Sequence, residues 1–116
     1  MVLYLIGFCV VNLLVIAAGL PLAMRKVRPN PTYGVRNTKL LANENLWYTA
    51  NAAAGRSLVA GGLISLLFTV FLFFQRNATE DSYPTAFAMA FGIIMIIVLL
   101  VVMIRVRRII RRSVNQ

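Results

Sequence analysis

Three long charge-free stretches limit what this chain can become. Met1–Met24, Ser57–Gln75 and Ser82–Ile104 carry no Asp, Glu, Lys or Arg over 24, 19 and 23 residues. A hydrocarbon core about 30 Å thick is crossed by about 20 apolar helical residues, so each stretch can span a bilayer. No water is there to bond exposed amides, and a helix satisfies them within the segment. A water-soluble reading fails on composition. Hydrophobic residues are 60% and charged residues 13% of the chain, against about 45–50% and about 25% in soluble domains. A 116-residue chain buries only about two-thirds of its surface and cannot hide that excess. The expectation is an all-α membrane protein with a single membrane domain. Its spans run over about 1–24, 57–75 and 84–104, with a structured connector over 25–56 and a basic tail over 105–116.

The basic residues give the spans a direction. Arg25, Lys26, Arg28, Arg36, Lys39 and Arg56 lie between the first two spans, and Arg105, Arg107, Arg108, Arg111 and Arg112 follow the third. Arg76 alone, beside Glu80 and Asp81, lies between the second and third. Basic residues gather on the cytoplasmic side. The N-terminus is therefore expected outside, the connector and C-terminus in the cytoplasm, and the protein multi-pass in the cytoplasmic membrane. The first stretch lacks the basic start and short apolar core of a secretory signal and reads as an uncleaved anchor. Asn77-Ala78-Thr79 matches a glycosylation triplet that carries no functional weight here. Ser82-Tyr83-Pro84 reads as a helix entrance, with Pro suited to a first turn and Tyr83 to the interface level.

Catalytic chemistry has little to work with. The chain has no His, three acids and one cysteine, so general bases, nucleophiles and metal ligands are scarce. Cys9 cannot form an internal disulfide and sits among apolar neighbours as a small hydrophobe. No enzyme, cofactor or metal is expected. The net charge of +9 is set against anionic lipid; five tail arginines with no folded reader give no basis for nucleic-acid recognition. With Val106, Ile109 and Ile110 on one face, the tail has the pattern of a membrane-surface helix, its arginines meeting anionic headgroups at about 1 kcal/mol each.

The connector is patterned beyond what a linker needs. Pro29-Asn30-Pro31 fixes two φ angles and extends the residues before each proline, and Tyr33-Gly34 permits a turn. Asn43 can cap a helix that begins at Glu44, whose charge suits the positive helix end. Along that helix Trp47, Asn51 and Gly55 share one face, and Ala53, Ser57, Gly61 and Ser65 form a second line of small side chains. Small residues at this spacing admit a close helix, either another span of this chain or a second copy in a homo-oligomer. Gly7 and Gly19 on the first span can supply the matching approach. Asn12, polar at membrane depth, should face another helix.

Pro29-Asn30-Pro31-Thr32-Tyr33-Gly34-Val35-Arg36, followed by Trp47, Asn51 and Gly55, resembles the signature of the SdpI/YfhL family of small bacterial membrane proteins. The resemblance covers about 27 residues of motif; the flanking spans agree in hydropathy alone. The family commonly has Thr-Pro after the Arg, where this chain has Asn37-Thr38. Its founding member is longer, with additional spans, and this chain resembles the short, single-unit kind. The founding member protects its producer from a secreted toxin and holds a repressor at the membrane. The resemblance thus implies immunity to a membrane-active toxin, or envelope-stress signalling.

Two readings of the motif stay open. In one, Asn30, Tyr33, Gly34, Arg36, Trp47, Asn51 and Gly55 form a binding site for a peptide terminus or an anionic lipid head, with Arg36 as a planar fork. In the other, Arg36 pairs with Glu44 or helix-end carbonyls, Tyr33 and Trp47 anchor at the interface, and Asn51 bonds the loop backbone. At the level of function, a non-enzymatic binding protein stands beside a structural subunit of a larger membrane complex. A peptide toxin or another membrane protein is the expected partner.

Overall fold

The computed structural model describes residues 2–74 and 82–114. Arg76, Glu80, Asp81 and the Asn77-Ala78-Thr79 triplet lie outside the described residues. Four helices follow in order: α1 Val2–Ala23, the short α2 Thr38–Ala42, α3 Glu44–Phe74 and α4 Ser82–Val114. Three of them, α1, α3 and α4, are long and apolar enough to cross a membrane. The long helices are thus those the charge-free stretches predict; α2 is an addition within the connector.

Helix length explains the architecture. At about 1.5 Å per residue, the 22 residues of α1 reach about 33 Å, close to a hydrocarbon core. The 31 residues of α3 and 33 of α4 reach about 46 and 50 Å, so both overrun α1. The excess lies at the basic end. Gly55 meets Ala23, the last residue of α1, so α3 from Glu44 to Ala54 extends beyond α1. Arg105 meets Ser57, so α4 beyond Arg105 extends beside it. The segment between α1 and α3 fills the step left over the end of α1.

α3 is the central element, with α1 and α4 each antiparallel to it. A Cβ at Gly19 would stand 2.8 Å from the Gly55 carbonyl oxygen, and one at Gly55 would stand 2.5 Å from that of Gly19 and against the amide nitrogen of Ala23. The two backbones touch there, as only glycines permit. Further along, Gly62 receives Ile16, and the buried Asn12 donates from Nδ2 to Thr69 Oγ1 at 3.1 Å and to the Phe8 carbonyl at 2.9 Å. Asn12 thus faces α3, as its polarity requires. On the opposite side, Gly61 lies against Val98 of α4, and Ala53, Ser57 and Ser65 are buried with it. Gly7, in contrast, meets nothing within 4 Å. Of the two first-span glycines expected to seat a helix, Gly19 alone does so.

α1 stops in a defined way. Lys26 N–H bonds to the Pro21 carbonyl at 3.0 Å and Arg25 N–H to that of Leu22 at 3.2 Å. Arg25 takes the left-handed conformation, φ 59°. This six-to-one and five-to-two pairing is a Schellman stop, here built on Arg where glycine is usual. It turns the chain back over the end of α1.

The two helix contacts should respond to added volume, whereas the open glycine on α4 should not. Gly55→Leu and Gly61→Leu are expected to destabilise the protein by about 1–3 kcal/mol or more, the cost of overpacking. Gly92, which has open space around it, should accept Ala with no loss, since Ala favours a helix by about 1 kcal/mol. Thermal melts in detergent followed by circular dichroism compare them. Equal melting of the three variants would contradict the packing described.

Candidate functional site

The segment between α1 and α3 folds on side-chain hydrogen bonds. Asn30 Oδ1 accepts from Thr32 N at 2.9 Å, Thr32 Oγ1 at 3.1 Å and Tyr33 N at 2.6 Å, while its Nδ2 donates to the Arg28 carbonyl at 2.7 Å. An asparagine between two prolines thereby replaces the backbone pairing that proline cannot supply. Tyr33 OH donates to the Ala18 carbonyl, bracing the turn against α1. Gly34 follows with φ 108°, where a Cβ would also stand 2.7 Å from Asn51 Oδ1 and 3.3 Å from the Trp47 ring. Glycine is required there twice, for its conformation and for the close approach.

Asn51 holds the next residue. Its Oδ1 accepts from Val35 N–H at 2.6 Å and its Nδ2 donates to the Val35 carbonyl at 3.2 Å and to Trp47 O at 3.1 Å. A primary amide pairs here with a backbone as a neighbouring strand would. Trp47, 0% exposed, donates from Nε1 to the Val27 carbonyl at 2.9 Å. Its ring belongs to a small core with Leu40, Leu46, Ala50 and Val106, against which Val27, Val35, Ile109 and Ile110 pack. The connector is thus fixed on α3 at both ends, by Trp47 at Val27 and by Asn51 at Val35. Gly55, one turn on, carries the crossing with α1.

The sequence-derived residues therefore part into two groups. Asn30, Gly34, Trp47, Asn51 and Gly55 all act inside the chain, and Trp47 presents no ring face to solvent. Tyr33 and Arg36 are exposed. Arg36 donates from Nη1 to the Pro31 carbonyl, a loop carbonyl and not the Glu44 or helix-end partner considered from sequence. That bond holds the guanidinium over the turn. The line Ala53, Ser57, Gly61 and Ser65 is buried along α3. The tail arginines 105, 107, 108, 111 and 112 are exposed, whereas Val106, Ile109 and Ile110 pack on the small core. The apolar face of the tail thus meets α3 and its connector, which corrects the expectation of a free membrane-surface helix.

Two caps complete the segment. Leu40 N–H donates to Asn37 Oδ1 at 2.8 Å, making Asn37 the N-cap of α2, and Leu46 N–H donates to Asn43 Oδ1 at 3.1 Å at the start of α3. Asn37-Thr38 thus occupies N-cap and first helical position, where Thr and Pro are also favoured. Leu40, fully buried, is a core residue that sequence pattern does not reveal; a five-residue helix leaves no periodicity to find it by. Among the described residues, no three His, Cys, Asp or Glu side chains gather in a group that could hold a metal.

A protein-family model, described as the SdpI/YfhL protein family, matches residues 26–105, from the connector through α3 and most of α4. No curated protein and no solved structure matches the chain at a significant level.

Removing the amide that clamps Val35 should loosen the connector before the bundle. Asn51→Ala leaves both Val35 backbone groups without their partner, at a cost of about 1–3 kcal/mol, and Gly34→Ala should act in the same direction. In detergent, trypsin is expected to cut after Arg36 and Lys39 about tenfold faster in both variants than in the parent. Asn45→Ala, at an exposed site on the same helix, is the control. Unchanged cleavage in Asn51→Ala would show that the connector is held by other means.

Proposed function

The chain belongs to the SdpI/YfhL protein family, and on that premise we propose that it is a non-enzymatic binding protein that confers immunity to a membrane-active peptide toxin or acts in envelope-stress signalling. The supporting observation is that Arg36 is exposed on a bonded loop, with its guanidinium donating to the Pro31 carbonyl. The loop beneath it is stiffened by Pro29 and Pro31, cross-linked by Asn30, and clamped to α3 through Val35. A guanidinium on such a base is preorganised to bond a carboxylate or phosphate through two parallel N–H groups, so less order is lost on binding. Tyr33, three residues earlier in the same loop, adds an exposed aromatic ring. The ligand that suits this pair is a peptide terminus or an anionic lipid head.

The bias of eleven basic residues to one supports placing this end of the bundle in the cytoplasm and the N-terminus outside, within the cytoplasmic membrane. The exposed tail arginines would then lie at the headgroups of the inner leaflet. A second reading, an accessory subunit of a larger membrane complex or a homo-oligomer, draws on Gly7 and Gly92. Both leave open space on outward helix surfaces into which another helix could fit.

Arg36→Lys keeps the charge, and so the orientation, but loses the fork. Survival of cells challenged with a panel of envelope-active peptides, at matched expression, should fall about tenfold or more for Arg36→Lys, the loss expected of one charge-assisted pair. Arg112→Lys should keep the parent's protection. Equal protection by both variants would refute a binding role for Arg36. A stoichiometric membrane partner on purification, with no protection by the parent, would favour the accessory subunit.

A further inference from the structure

α3 and α4 also enclose a groove that involves neither the motif nor α1. Its volume is about 350 Å³. The walls are apolar, formed by Ala60 and Ile64 on α3 and Ile97 and Val101 on α4, with Ile94 at the far end. Arg56 and Arg105 both line the groove at the end where Arg105 meets Ser57, and none of the lining residues is acidic. Arg105 Nη1 donates to Ser57 Oγ at 3.3 Å, and that hydroxyl donates to the Ala53 carbonyl at 3.1 Å. One guanidinium is therefore tethered at the groove mouth. Both arginines are exposed.

The length of the groove identifies its occupant. From Arg56 to Ile64 is about 12 Å along α3, and from Ile94 to Arg105 about 16 Å along α4. A single leaflet contributes about half of a 30 Å hydrocarbon core. The apolar wall thus matches one leaflet in depth, and the arginines lie at the level of its headgroups. A second copy of the chain would bring the same +9 charge and its own pair of arginines to this mouth. We propose that the groove binds one anionic glycerophospholipid, with an acyl chain along Ala60, Ile64, Ile97 and Val101 and the phosphodiester between Arg56 and Arg105. Planar guanidiniums suit this group because each can bond two phosphate oxygens at once.

The full-length protein, purified in nonionic detergent, is titrated with phosphatidylglycerol and with phosphatidylcholine of the same chains, and bound mass is read by native mass spectrometry. One phosphatidylglycerol per chain is expected, with phosphatidylcholine bound at least about tenfold more weakly. The paired change Arg56→Gln and Arg105→Gln should weaken phosphatidylglycerol binding about tenfold or more. Ala60→Phe, which fills the groove and leaves the charges, should do the same. Ile97→Phe repeats that test from α4 should Ala60→Phe melt early. The pair Arg25→Gln and Arg28→Gln, exposed on the connector, should bind like the parent. The proposal is overturned if both arginine pairs weaken binding equally, if the groove-filling variants bind like the parent, or if the two lipids bind alike. Glycerol phosphate that competes as well as the whole lipid, or a two-chain mass that Ala60→Phe reduces to one, would also overturn it.

Discussion

The primary amide of Asn51 occupies both backbone groups of Val35, and the arrangement of the basic end depends on that pairing. Among the described residues the segment between α1 and α3 has no strand to pair with, and its two prolines cannot donate. Its backbone must bond to side chains or to water. Asn51 can serve because it is 2% exposed on α3 and its own Nδ2 also reaches back to Trp47. The amide is thus oriented by the helix before it meets the loop. Gly34, directly before Val35, lets the chain approach closely enough for the pair to form. Trp47 fixes the segment's other end, and its ring supplies the apolar surface on which Leu40 and Val106 close. Lost backbone freedom costs about 1–2 kcal/mol per residue. It is offset here by these bonds and by a small core lying beside the bundle's own helix contacts.

Two packing chemistries therefore hold the molecule. Within the spans, where lipid is as apolar as any side chain, helices gain from close contact, and the glycines at 19, 55, 61 and 62 let α1 and α4 settle on α3. At the basic end, where α3 and α4 overrun α1, the hydrophobic effect acts in the ordinary way and gathers Leu40, Leu46, Trp47 and Val106. Gly55 sits at the junction. The face that begins with Trp47 in the small core and Asn51 on Val35 ends with Gly55 against α1, so one stripe of α3 serves both regimes. This coupling ties the position of Arg36 to the helix crossing and gives the exposed surface of the motif a rigid base.

The three long helices were legible because charge-free length is a direct physical requirement of the bilayer, and Asn43 marked the start of α3 by its capping chemistry. The motif residues were legible as a group, whereas their geometry was not. Trp47 and Asn51 share a helix face by spacing alone, yet nothing in the spacing says that their partners are the backbone of Val27 and Val35. A carbonyl has no residue type to read. The tail's apolar face was legible as a face, and the sequence could not say whether lipid or protein would cover it. Tertiary packing decided that through Val106. Gly7 and Gly19 look alike in sequence; only the helix crossing tells them apart.

The connector is a fixed platform clamped to α3 through Val35, not a mobile linker. Amide hydrogen exchange of the protein in detergent micelles, resolved at Val35, distinguishes the two. The Val35 amide is expected to exchange at least about 100-fold more slowly than an unstructured amide. Exchange of Val35 at the rate of an unstructured chain would contradict it.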